Sequence, residues 1–150
     1  MTREKIVITG LGVLAPNGNN VDAFWAACTK GKSGIGRITY FDSSEHRVSI
    51  AGELSDFQPE MVLDPKEIRK LDPFSIYALV ATDEAVKMAN IDPEKLDMDR
   101  VGVTIGTGVG GIQTLEEQHS VIENKSARRV SPHFVPKMIH GQLKAFPLVS

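Results

Sequence analysis

Two hydrophobic periods alternate along the chain. From Lys5 to Thr9 a β-branched run closes on Gly10-Leu11-Gly12; it predicts a buried strand continuing to about Ala15 and stopping at Pro16-Asn17-Gly18. A helix is expected next. Asn20 supplies a capping oxygen, Phe24, Ala27 and Cys28 share one face, and Gly31 provides the left-handed stop. From 32 to 64 short apolar pieces alternate with Gly, Ser and Asp, and Val48 to Leu54 reads as a hairpin or edge strand. The pairs Asp64-Pro65, Asp72-Pro73 and Asp92-Pro93 each offer a capping carboxylate followed by a preset φ, so each is expected to start a helix. The second carries the clearest stripe, Phe74, Tyr77, Ala78, Ala81, Ala85 and Met88, and ends near Asn90. Val101 to Ile105 predicts a second buried strand, which runs into Gly106-Thr107-Gly108-Val109-Gly110-Gly111. A helix from about Ile112 to Asn124 follows, with Ile112, Leu115, His119 and Ile122 on one side. Beyond Lys125 the pattern is broken by Pro132, Pro136 and Pro147.

Composition narrows the function classes without choosing one. The chain has 150 residues with 17 Lys and Arg against 19 Asp and Glu, a net charge of −2, so there is no overall pull toward nucleic acid or an anionic membrane. Any electrostatic partner site must be local. The single cysteine, Cys28, has no internal disulfide partner, and Thr2-Arg3-Glu4-Lys5 does not open a secretory leader. No apolar run approaches the length that spans a bilayer. The expected address is the cytoplasm.

The candidate chemistry lies in the glycines and in two basic clusters. Gly106, Gly108 and Gly111 fit G-x-G-x-x-G between an expected strand and an expected helix, the setting of a dinucleotide fingerprint. After that helix, however, comes Lys125-Ser126-Ala127-Arg128-Arg129 instead of a second strand ending in an acidic residue. A glycine turn that brings backbone close to another segment or a ligand is the competing reading. Gly31-Lys32-Ser33 fails as a phosphate loop because Ala26 stands where its first glycine belongs, and Ile35 stands where a nucleophile elbow needs glycine. The histidines His46, His119, His133 and His140 contain no i,i+4 pair, so no metal site is expected. Cys28, on an apolar helix face, reads as a small core residue. Lys66, Arg69 and Lys70 form one basic cluster, and Lys125, Arg128 and Arg129 form another; each is either a solvated face or a dock for an acidic partner.

Six blocks in order carry a family resemblance. They are Val7-Ile8-Thr9-Gly10-Leu11-Gly12-Val13 with Pro16 and Gly18, Gly31-Lys32-Ser33-Gly34-Ile35, Ile50-Ala51-Gly52-Glu53, Arg69-Lys70-Leu71-Asp72 with Phe74 and Tyr77-Ala78, Ile105 to Gly111, and Arg128-Arg129-Val130-Ser131-Pro132 with Phe134-Val135-Pro136. Together they resemble the N-terminal part of the β-ketoacyl-acyl carrier protein synthases, the condensing enzymes of type II fatty-acid synthesis. The resemblance covers residues 3 to about 139, leaving 140–150 as a divergent tail with no domain of its own. It implies an α/β, thiolase-like layered fold, present here as an N-terminal portion with an incomplete sheet, in a homodimer. The implied reaction is a decarboxylative Claisen condensation of an acyl thioester with malonyl-acyl carrier protein. The family's nucleophilic cysteine and two histidines lie in later motifs that these residues lack, so no catalytic residue is assigned and no cofactor is implied. Carried over by position, Gly108 and Val109 would line an acyl channel, Phe134 and Val135 would reach across the dimer, and Lys66, Arg69, Lys70, Arg128 and Arg129 would receive the carrier protein. A noncatalytic carrier-protein or partner-binding module and a nucleotide-binding domain are the alternatives.

Overall fold

A computed structural model describes residues 5–139, and the tail expected at 140–150 lies outside them. Those residues divide into two compact units, one formed by residues up to 58 with 81–91 and the other by 59–80 with the residues from 92 onward. No helix among the described residues is long and apolar enough to cross a membrane.

In the first unit helix α1 spans Val21–Thr29, and its capping oxygen is the one expected: Ala23 N–H donates to Asn20 Oδ1 at 2.8 Å. Gly31 follows with a φ of 64°, beyond the helix end. Strand β1, Ile35–Arg37, pairs antiparallel with β2, Ile50–Gly52, in the register Ile35 with Gly52, Gly36 with Ala51 and Arg37 with Ile50. Glu53 fastens the chain just beyond that pair. Its carboxylate accepts the Thr39 hydroxyl at 2.7 Å, the Thr39 N–H at 3.0 Å and the Tyr40 N–H at 3.3 Å.

Helix α3, Pro73–Ala89, is shared by the two units. Its later half belongs to the first, where Ala81, Ala85 and Ala89 lie against the backbone of Gly10 and Gly12. A Cβ at Gly12 would collide with the Ala81 carbonyl, and one at Gly10 with that of Ala85. Close approach therefore explains these glycines without any ligand. Glu84, on the same half, accepts N–H bonds from Val13 at 2.9 Å and Val21 at 2.8 Å. One carboxylate thus ties the glycine segment and the start of α1 to α3. Asn90 ends the helix with a φ of 51°, which asparagine tolerates better than most residues.

The second unit contains α2, Pro65–Ile68, the earlier half of α3, α4, Ile112–Asn124, and α5, Phe134–Met138. Leu63, Ile76 and Leu79 are its buried apolar side chains. Asp64 caps α2 through the Lys66 N–H at 2.7 Å. The third Asp-Pro pair yields only a 3-10 turn, Pro93–Lys95, instead of a helix.

Several expectations are corrected. Lys5–Ala15 and Val101–Ile105 contain no strand, and Ile6, Val7 and Ile8 are 98%, 69% and 82% exposed instead of buried. A strand exists only by pairing, and apart from the isolated bridge of Ala15 with Gly18 neither segment has a partner among the described residues. The stripe Ile112, Leu115, His119 and Ile122 faces outward, because the other side of α4 is fixed by polar bonds: Thr114 to Asp72 and Gln118 to the Ser131 N–H. On α3 the deepest positions are Ser75, Ile76 and Leu79, with the expected stripe flanking them and Met88 exposed. Cys28 is exposed, not a core residue, and only Ala27 of α1 is buried.

Candidate functional site

All nine candidate residues belong to the second unit. Lys66 lies within α2, Arg69 caps its end and Lys70 follows. The cap is reinforced by Arg69 Nε donating to the Pro65 carbonyl at 3.2 Å. Arg128 and Arg129 sit on a 3-10 turn, Ala127–Arg129, whose exit is pinned to α4 where Ser131 N–H donates to Gln118 Oε1 at 2.7 Å. All five cations are exposed. None of the ion pairs among the described residues involves them; those pairs are Lys87 with Asp83, Lys95 with Asp92, and His119 with Glu123. The two clusters are thus patches of exposed, unpaired positive charge on a chain of net charge −2.

Gly108 and Val109 lie in the exposed loop before α4, Val109 at 74% exposure. On α5, Phe134 is half-buried and Val135 exposed. The loop reaches α5 through its last two residues: Gly111 N–H donates to the Met138 carbonyl at 3.2 Å, and Gly110 has a φ of 73° beside the same oxygen. A Cβ added at Gly111 would stand 2.8 Å from Met138 Cα and 3.0 Å from Asp72 Oδ2. Glycine at 111 is thus required by a junction of segments, whereas Gly106 and Gly108 meet nothing within 4 Å.

Sequence reasoning missed the centre of that junction. The pair Asp72-Pro73 predicts only a helix start, but Asp72 is 3% exposed and serves two helices. Oδ1 accepts the Phe74 N–H in the first turn of α3 at 3.4 Å, while Oδ2 accepts the Thr114 hydroxyl at 2.6 Å and the Thr114 N–H in the first turn of α4 at 3.3 Å. A carboxylate at a helix N-terminus is favoured by the dipole and by its free N–H groups. The signal available in sequence was Thr114, three residues beyond Gly111, at the position where a helix amide needs an acceptor.

The same geometry disfavours the nucleotide reading. A phosphate cradled by G-x-G-x-x-G uses the N-terminal amides of the following helix. Here the Thr114 amide already serves Asp72 and the Gly111 amide serves Met138, so an incoming phosphate would face a buried like-charged carboxylate. No group of three or more His, Cys, Asp and Glu among the described residues is placed to hold a metal ion. A polar cavity of about 390 Å³ opens in the first unit beside Arg37, Phe41, Asp42 and His46, and none of the nine candidates lines it. There Ser44, through its backbone N–H and then its hydroxyl, holds the Asp42 carboxyl below the usual aspartate range.

The sequence matches the family described as beta-ketoacyl synthase, N-terminal domain, over residues 3–143, which runs past the boundary expected at Ile139. It is 46% identical over 136 residues to 3-oxoacyl-[acyl-carrier-protein] synthase 2 of Staphylococcus aureus strain COL, covering 91% of this chain and 33% of the relative. The enzyme of the same name from a Synechocystis strain is 37% identical over 139 residues, with 93% and 33% covered. The chain thus spans about a third of the length of the curated relatives it matches. A solved type II PKS acyl-carrier protein in complex with its ketosynthase bound to the hexaketide provides a match with TM-score 0.75 and 28% identity, covering 96% of this chain and 38% of that one. The ishigamide ketosynthase/chain length factor shares the fold at TM-score 0.77 and 24% identity, covering 93% and 35%. From Val7 through Pro136 the six sequence blocks fall within one matched region, and the chain belongs to the β-ketoacyl synthase family, of whose thiolase-like fold it carries an N-terminal portion.

Proposed function

We propose that this chain supplies the carrier-protein dock and part of the acyl channel of a condensing enzyme of fatty-acid elongation. In that reaction an acyl group held as a cysteine thioester is attacked by the carbanion equivalent left when malonyl-acyl carrier protein loses carbon dioxide. A carbon–carbon bond forms and the thiolate leaves. Residues 1–150 carry none of the family's nucleophile or histidine motifs, and the exposed Cys28 is not a replacement: among the described residues no histidine is bonded to it, and its sulfur receives a 3.8 Å contact from Asn17 Nδ2. Their share is recognition. Lys66, Arg69, Lys70, Arg128 and Arg129 attract the acidic carrier protein, Gly108 and Val109 line the acyl channel, and Phe134 and Val135 complete it across a homodimer. The work is cytoplasmic and uses no cofactor.

The observation that carries this reading is the set of five exposed cations without ion-pair partners, placed in the same unit as the glycine loop and α5. Exposed rim charges contribute about 0.2–1 kcal/mol each and act mainly through encounter rate. Arg69→Glu combined with Arg128→Glu is therefore expected to weaken carrier-protein binding several-fold, most at low salt, with the fold retained. Unchanged affinity in the folded double variant would reduce both clusters to solvated surface. Residues 1–150 alone are expected to give no condensation product; turnover abolished by Cys28→Ser would overturn the assignment.

A further inference from the structure

We propose that Asp72 is a positioning residue that sets the acyl-channel loop and α5 relative to the carrier dock. The proposal rests on the functional reading above for what is positioned, and on the geometry of one junction for how. Asp72 follows Arg69 and Lys70 by three and two residues, so its backbone continues directly from the dock. Its carboxylate is the acceptor that holds the first turn of α4 through both donors of Thr114, at 2.6 and 3.3 Å. Thr114 is itself buried at 5% exposure, and the two side chains form a closed polar pair away from water, where losing one partner leaves the other unsatisfied. Gly111, also buried, packs between Asp72 and Met138, and its N–H bond fixes the end of α5. Three segments with separate expected roles therefore meet around Asp72 and Gly111: the dock helix leading to Asp72, the loop bearing Gly108 and Val109, and, through Met138, the helix bearing Phe134 and Val135. None of the side chains of Val109, Phe134 and Val135 bonds within the junction, so its effect on the channel is exerted through backbone placement. A substitution at Asp72 should shift the loop and α5 while leaving the exposed cations of the dock in place.

Amide hydrogen exchange on the 150-residue chain is the direct test. Asp72→Ala is expected to raise exchange about tenfold across 106–114 and 134–139, the size set by losing a buried hydrogen bond to a charged acceptor, with α1 amides unchanged. Thr114→Val should move the same amides in the same direction, and Thr114→Ser, which keeps the hydroxyl, should restore them. If Asp72→Ala does not fold, the Thr114 pair decides the question alone. Unchanged exchange at 106–114 and 134–139 in a folded variant overturns the proposal. A second readout uses unacylated and dodecanoyl carrier protein: Asp72→Ala should lose the affinity gained from the acyl chain while binding unacylated carrier as before, and an intact acyl gain would overturn the proposal as well. Should the unsubstituted chain bind neither carrier, the docking function fails, and the exchange result still decides whether Asp72 positions the loop.

Discussion

Glu84 and Gly12 illustrate how single residues hold the first unit. The Glu84 carboxylate receives two N–H donors, from Val13 and Val21, and charged acceptors of this kind contribute about 1.5–3 kcal/mol per bond. Glu84→Ala is expected to lower unfolding free energy by about 3 kcal/mol or more, visible as a reduced denaturant midpoint with little change in slope. Gly12→Ala should cost about 1–3 kcal/mol by overpacking, since its new methyl meets the Ala81 carbonyl rather than a movable side-chain tip. Gly36, with nothing within 4 Å, should accept alanine with little effect, and equal costs at positions 12 and 36 would refute the close-approach account.

Among the elements, the β1–β2 pair has a built-in acid sensitivity. The Thr39 hydroxyl first, and then the Thr39 backbone N–H, hold the Glu53 carboxyl below the ordinary glutamate range against the opposing effect of desolvation. A carboxylate with a lowered folded value stabilises the fold at neutral pH, in full above its unfolded value, and loses that contribution as pH falls through the folded value. The Thr39 and Tyr40 amides are therefore expected to lose protection on acidification below the usual glutamate range. Glu53→Gln should remove that pH dependence, and a persistent acid transition at Thr39 would place its origin elsewhere. Local chemistry made such elements legible in sequence: Asn20, Asp64 and the glycine before Ile112 marked helix boundaries because capping depends on neighbours two or three residues away. Burial was less legible. The outward stripe of α4 and the exposed Cys28 depend on which side of a helix finds a partner, and for α4 that choice was made by Asp72, 42 residues away from Thr114. The candidate site was readable as motifs, yet its junction was not, because Asp72 and Thr114 each had an adequate local role.

For the molecule as a whole, open edges should dominate its solution behaviour. Ile6, Val7, Ile8 and Val103 are exposed in segments with strand-like composition and no ladder partner among the described residues, and such edges recruit other chains. The isolated 150-residue chain is expected to show a concentration-dependent, broad melt, whereas a sharp monomeric transition independent of concentration would contradict this. The central claim is that these residues recognise an acylated carrier protein without performing the chemistry. Its most direct test is a titration of the chain with unacylated and dodecanoyl carrier protein at low salt and at about 0.15 M, where exposed charges are screened beyond roughly 8 Å. The account predicts saturable binding that weakens as salt rises and is tighter for the dodecanoyl form at both salt concentrations. Absence of binding, or binding indifferent to both salt and acyl chain, would contradict it.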